Sequence, residues 1–178
     1  RLGYVLYALN RSSESIQLLQ KALEQHPSNV ELKHYLGLNL YQSGDGDEAE
    51  RILSEVVAER KDLPEAFFVL GKINLDNGNP LKAQEYFAQY AAATPNDAHA
   101  YRALAAAYIQ AKDVNGAETA LSHLLSLAPD DVVATINMGH VKFERGQIDE
   151  AVKLYEQAYK AEPKRLDILY TIASAYYL

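Results

Sequence analysis

Five histidines, His26, His34, His99, His123 and His140, are the side chains here best suited to metal or proton chemistry. Metal binding on a helix needs two of them one turn apart on a shared face, and no pair stands at that spacing. Asp45-Gly46-Asp47 resembles the opening of a calcium loop, but the further oxygen ligands and the closing Glu are missing, so it reads as a turn. Asn10-Arg11-Ser12 matches the glycosylation sequon and reads as a chance match in an inter-helix turn. There is no Gly-rich phosphate loop, no nucleophile elbow and no close pair of acids. With zero cysteines, a disulfide scaffold and a zinc ribbon are excluded. The residue types therefore point to no catalytic, cofactor or metal site. What remains is recognition chemistry, in which aromatic, aliphatic and cationic side chains are displayed on a surface.

Charge narrows the partners. The chain carries 17 Lys and Arg against 24 Asp and Glu, a net charge of −7. That balance argues against nucleic acid, whose phosphates demand clustered cations, and against an anionic membrane surface. No apolar run reaches the roughly 18 residues needed to span a bilayer, so no membrane insertion is expected in this stretch. The opening Arg1-Leu2-Gly3-Tyr4 lacks the pattern of a signal peptide, and the cytoplasm and a bacterial periplasm both stay open as compartments. A composition 48% hydrophobic and 23% charged suits a soluble packed protein.

The elements that must position a recognition surface come from self-similarity. Ala151 has counterparts every 34 residues at Ala117, Ala83 and Ala49, with Ser15 a further step back. Gly139 is echoed by Ala105, Gly71, Gly37 and Gly3, and Pro163 by Pro129, Pro95 and, past Lys61, Pro27. The repeats run over 30–63, 64–97, 98–131 and 132–165, with partial repeats at 1–29 and 166–178, and make one array over 1–178. Each reads as two helices. In repeat 64–97, Pro64 opens the first helix, Asn77-Gly78-Asn79-Pro80 breaks it, and a second runs from Leu81 to about Ala93. Asp47-Glu48 and Asp149-Glu150 place acids in a first turn, where the helix dipole favours them.

Numbering each repeat from its first residue, positions 20, 24 and 27 form one stripe of the second helix: Ala49, Leu53, Val56; Ala83, Phe87, Tyr90; Ala117, Leu121, Leu124; Ala151, Tyr155, Ala158. Position 8 is always Gly or Ala, at Gly37, Gly71, Ala105, Gly139 and Ala173. Glycine inside a helix costs roughly 1 kcal/mol against Ala, so a steric need is implied. The expectation is a close approach of two helices, with the Ala at position 20 as the small residue opposite.

This pattern, with period 34, a small residue at 8, Ala at 20, a large apolar residue at 24 and Pro at 32, resembles the tetratricopeptide repeat over the whole chain. Position 4, usually Trp in that family, is Lys33, Phe67, Tyr101, Thr135 and Leu169 here. The acidic charge and the period of 34 separate the chain from the pentatricopeptide repeats, which have period 35 and bind RNA. The resemblance implies an all-α, right-handed superhelical solenoid of antiparallel helix pairs, with first helices lining a concave groove.

Positions 2, 5, 9 and 12 are then the groove-facing stripe. From it His34, Tyr41, Phe68, Lys72, Arg102, Ile136, His140 and Phe143 are the candidate peptide-binding residues; Tyr4 and Tyr7 belong to the same row. Apolar walls with an Arg and a Lys suit a peptide with apolar anchors and an acidic group, Arg102 being the candidate for the acid. Co-chaperones of this family hold the tail of Hsp70 or Hsp90 with a carboxylate clamp of Lys, Asn and Arg. Its positions are His34, Leu38, Val69, His99 and Ala103 here, and shifted registers also fail, so that partner is excluded. The chain reads as a non-enzymatic scaffold that binds a protein or peptide and organises a multi-protein assembly. The alternatives are a non-catalytic arm of a larger enzyme or of a secretion or polysaccharide-export machine, and a self-assembly module. Arg1 falls at position 6 of a repeat, and Ile172, Ala173 and Tyr176 lack a second helix to pack on, so a longer array or a homo-oligomer through the ends is expected.

Overall fold

A computed structural model describes residues 12–177. Gly3, Tyr4, Tyr7, Asn10 and Arg11 lie outside the described residues, as does Leu178. Among the described residues there are helices and turns only: α1 (Ser12–Gln25), α2 (Val30–Gln42), α3 (Gly46–Glu59), α4 (Pro64–Asp76), α5 (Pro80–Ala93), α6 (Ala98–Gln110), α7 (Val114–Leu127), α8 (Val132–Glu144), α9 (Ile148–Ala161) and α10 (Leu166–Tyr177). None of these helices is long and apolar enough to cross a membrane.

The helix starts follow local chemistry. Asn29, Asp45, Asp113 and Asp131 each accept a hydrogen bond from the backbone N–H three residues on, and Asp97 from that of His99. These contacts satisfy amides that the first turn leaves without a helical partner. Pro64 opens α4 as expected, and Pro80 opens α5 rather than closing the turn before it. Proline's fixed φ suits a first helical residue, and its missing N–H costs nothing there. First helices end through a left-handed residue: Gly44, Gly78 and Gly146 have φ of 92°, 74° and 73°. In repeat 98–131 that place belongs to Lys112, at φ 58°. The glycine that breaks this repeat in sequence, Gly116, lies inside α7, where the Tyr108 ring occupies the space a Cβ would need.

By its contacts the chain divides into two compact units, Arg1–Thr94 and Pro95–Leu178. In the first, α2 packs with α3 and α4 with α5, while α1 lies on α2 and α3 on α4. In the second, α6 packs with α7 and α8 with α9, while α7 meets α8 and α9 meets α10. The stripe at positions 20, 24 and 27 is the core in both, except that Tyr90, at position 27 of repeat 64–97, is only half-buried. Ala49, Leu53, Val56, Ala83 and Phe87 are fully buried, as are Ala117, Leu121, Leu124, Ala151, Tyr155 and Ala158 to within 1%.

The glycines of the first helices serve a different neighbour from the one anticipated. A Cβ on Gly71 would sit 2.5 Å from Cε1 of Phe87, and one on Gly37 2.5 Å from Cγ of Leu53; Tyr155 covers Gly139 in the same way. The partner is thus the large residue at position 24, not the alanine at position 20. Its side chain lies flat on bare backbone, which explains why glycine is retained against its helix propensity.

Candidate functional site

In the unit Pro95–Leu178 a cleft of about 410 Å³ opens between α6 and α8. Ile109 from the last turn of α6 forms one wall, and Lys112 and Asp113 of the following turn form the rim. Val114 and Ala117, at the start of α7, form the floor. The opposite wall is one face of α8: Asn137, His140, Val141, Phe143 and Glu144. Their spacings of three and four residues are the helical stripe that turns side chains to one side.

The helices around this cleft are held by charge. Glu118 of α7 accepts from Lys142 at 2.8 Å and pairs with Arg145 at 2.9 Å; Lys142 also reaches Glu150 at 3.4 Å. The Lys142 bond holds the Glu118 carboxyl below the ordinary carboxylate range, and the same bond raises Lys142. Arg145 also donates to Asn115.

His140 stands in the wall with its Nδ1 3.0 Å from the Tyr155 hydroxyl, the rings tilted at 57° with centroids 5.3 Å apart. One edge of the imidazole is open to solvent. Enough of the ring is covered to lower its pKa below the ordinary imidazole value, with Glu144 opposing. Burial, with a further push from Glu144, raises the Tyr155 hydroxyl to about 12. Tyr155 therefore stays protonated at any physiological pH.

The structure brings together two of the eight sequence candidates, His140 and Phe143, in this cleft. Ile136 lies one turn before His140, half-buried, and packs with Phe143 against the core of α9 and α10. Arg102 is committed elsewhere: its Nη2 donates to Asp131 Oδ2 at 2.7 Å, and its Nη1 lies 3.0 Å from His99 Nδ1. Asp131 caps α8 through Ala134, so the Arg102 pair also braces a helix start. Burial alone would raise the Asp131 carboxyl, but the Ala134 amide and Arg102 hold it below its ordinary value.

The remaining candidates belong to the unit Arg1–Thr94. Phe68 is half-buried, its ring centroid 5.1 Å from Tyr90 and 6.0 Å from Phe87. Tyr41 is half-buried against the core of α2 to α4. Lys72 is half-buried and makes no ion pair among the described residues. His34 is only 4% exposed and its Nδ1 has no hydrogen-bond partner, so it presents no surface to a ligand. Its burial lowers its pKa, a tendency that Glu65 opposes.

Sequence reasoning did not single out Ile109, Lys112, Asn137 or Tyr155. Ile109 carried a signal at position 12 of the groove-facing stripe, whereas Asn137, at position 6, lies beside that stripe. Tyr155 carried one too: it is the only hydroxyl among Leu53, Phe87, Leu121 and Tyr155 at position 24. Among the described residues no three His, Asp or Glu side chains converge where a metal ion could be held.

Comparison with known proteins agrees with the repeat architecture. A Tetratricopeptide repeat family model matches residues 6–72 and 74–135, and a TPR repeat model matches 139–178. Human Protein O-mannosyl-transferase TMTC1 is 27% identical over 166 residues, which are 91% of this chain. The chain spans only 19% of that relative's length. Among solved structures, MamA is similar at 24% identity and TM-score 0.80, covering 94% of this chain and 98% of its own. MamA from Desulfovibrio magneticus RS-1 gives 18% and 0.77, over 92% and 93%. YrrB, described as a TPR protein with an unusual peptide-binding site, gives 16% and 0.85, over 95% and 87%. At these identities the likeness to the solved structures speaks for the fold alone. The family models cover most of the chain, and with the period of 34 and the position-24 side chains seated on position-8 glycines, the chain belongs to the tetratricopeptide repeat family.

Proposed function

We propose that this chain is a protein-interaction module, acting by binding and not by catalysis, and that the cleft between α6 and α8 takes an apolar side chain of a partner peptide. The observation that carries this reading is the cleft itself. It has an aliphatic and aromatic lining of Ile109, Val114, Val141 and Phe143, with a few polar groups at its edge. A pocket of that composition is what an anchoring side chain needs. Tyr41, Phe68 and Lys72 form a second candidate contact surface in the unit Arg1–Thr94. This reading does not rely on Arg102, which is paired with Asp131, or on His34, which is buried. YrrB's peptide-binding site supports the general mode for the fold.

Capture of partners by the intact chain, followed by peptide scanning of whatever is held, tests the reading. Phe143→Ala and Ile109→Ala are expected to weaken capture by roughly fivefold or more, since truncating a central anchor typically costs above about 1 kcal/mol. Lys153→Ala, on the exposed face of α9, is expected to leave capture unchanged. Normal capture by both cleft variants sinks the assignment.

A second reading has one observation in its favour, the match to a fifth of the human O-mannosyl-transferase. In that reading the repeats are a non-catalytic arm that presents substrate or partner proteins to a transferase domain. A full-length gene product carrying no such domain excludes it.

A further inference from the structure

Tyr155 does more than fill the space above Gly139. Its hydroxyl is buried, and His140 Nδ1, at 3.0 Å, is its only hydrogen-bond partner among the described residues. A buried O–H without an acceptor is expensive. The hydroxyl therefore donates and Nδ1 accepts, and the neutral imidazole carries its proton on Nε2. With the Nδ1 edge taken by Tyr155, the ring lining the cleft has its Nε2–H edge left to offer. No other repeat can make this bond: the matching pairs are Leu38 with Leu53, Lys72 with Phe87, and Ala106 with Leu121.

One turn before His140, Asn137 lines the same cleft and has no hydrogen-bond partner among the described residues. The charged groups lining the cleft are Glu144 on α8, which acts on the imidazole, and Lys112 and Asp113 on the α6–α7 turn, two acids against one cation. An acidic ligand would meet net repulsion there, whereas a backbone carbonyl would meet a donor.

We propose that Tyr155 is a positioning residue that fixes His140 as a hydrogen-bond donor into the cleft, so that the cleft selects a neutral peptide segment presenting a carbonyl beside an aliphatic side chain. The proposal rests on the cleft being the binding site proposed above. It replaces the acidic group expected from Arg102 with a neutral acceptor.

Nitrogen NMR of the full chain labelled at histidine tests it, with Tyr155→Phe as the variant. Phe87 already occupies the equivalent place over Gly71, so the variant keeps the packing and loses only the hydroxyl. In the wild type at pH 8, His140 is expected to show a protonated Nε2 and a hydrogen-bonded Nδ1. In Tyr155→Phe the Nδ1 signal should move to that of an unbonded imidazole nitrogen. N-acetyl-leucine methylamide should shift the wild-type Nε2 signal, and several-fold more should be needed in the variant. N-acetyl-leucine, with its carboxylate, should bind several-fold more weakly than the methylamide. A proton on Nδ1 in the wild type, or a variant with unchanged Nδ1 signal and unchanged probe response, overturns the role of Tyr155 and leaves the cleft as a peptide site. Tighter binding of the carboxylate probe overturns the choice of a neutral acceptor. If, in a uniformly nitrogen-labelled sample, neither probe nor any captured peptide perturbs the amides of Ile109 and Phe143, the binding reading itself falls.

Discussion

Repeats 64–97 and 132–165 place the same two helices together with the same device and use the result differently. In each, an aromatic ring at position 24 lies on a glycine at position 8, Phe87 on Gly71 and Tyr155 on Gly139. In the first, the neighbour at position 9 is Lys72 and the ring stays within an aromatic cluster with Phe68. In the second, one added hydroxyl reaches His140 and ties the core to a cleft wall. The wider units differ in the same sense. Among the described residues, the unit Arg1–Thr94 buries Ser12, Ser15, His34, Asn39 and Asn74, while the other buries Thr135 and the hydroxyl-bearing ring of Tyr155. A repeat fold leaves the packing positions nearly fixed, so function is written in the positions beside them.

Breaking the shared device should have the largest effect. Gly71→Leu and Gly139→Leu each drive a side chain into a ring, and overpacking of this kind costs about 1–3 kcal/mol. Thermal melts should fall for both, with damage spreading from the mutated repeat to its neighbours. Ala105→Leu, where the position already carries a Cβ, should cost less. Equal melts for all three would mean that the ring-on-glycine contact is not what the glycines are kept for.

The buried histidine separates the units next. Burial depresses the folded pKa of His34, so the unfolded chain binds the proton more readily. Its contribution is present above the ordinary imidazole value of 6.5 and is lost as the pH falls through the folded pKa. Melting temperature should therefore drop between pH 7 and pH 5, and His34→Leu should flatten that drop. His140→Gln should flatten it less, because part of that ring stays in solvent. A pH profile unaffected by His34→Leu contradicts its burial.

A gain is expected at the turn where the repeats diverge. Lys112 holds the left-handed conformation that Gly44, Gly78 and Gly146 hold elsewhere. Relieving it with Lys112→Gly should stabilise the unit by about 1 kcal/mol, visible as a higher melting temperature. The smallest effects belong to the ion pairs. Glu50 accepts from Lys82 and Asn74 at 2.8 and 3.0 Å, as Glu118 does from Lys142. Glu50→Gln and Glu118→Gln should each cost under about 1 kcal/mol, since such pairs remain partly solvated and are screened by salt. Chemical denaturation at low and high salt distinguishes this from a larger structural role.

The helices were legible in the sequence because a period of 34 residues, capping acids and turn glycines all act locally. The core stripe was legible because burial repeats with that period. The lining of the candidate cleft was legible only in part. His140 and Phe143 follow from helical spacing, but Arg102 looked free because its partner, Asp131, lies 29 residues away and its pairing depends on how α6 meets α8. His34 shares a position with Phe68 and Arg102 yet is buried, since neighbouring helices decide how far a stripe is covered. Lys112 hid because a lysine's side chain carries no signal for the left-handed conformation that glycine holds in the other repeats. Tyr155 hid because it reads as one more large apolar residue in the packing pattern.

Hydrogen exchange of the intact chain with and without its captured partner tests the proposal of a binding cleft most directly. Protection is expected in residues 109–117 and 137–144, the walls and floor of the cleft, with little change along the exposed face of α9. Protection confined to residues 118–127 of α7 and to α9, with 109–117 and 137–144 exchanging as in the free chain, would contradict it.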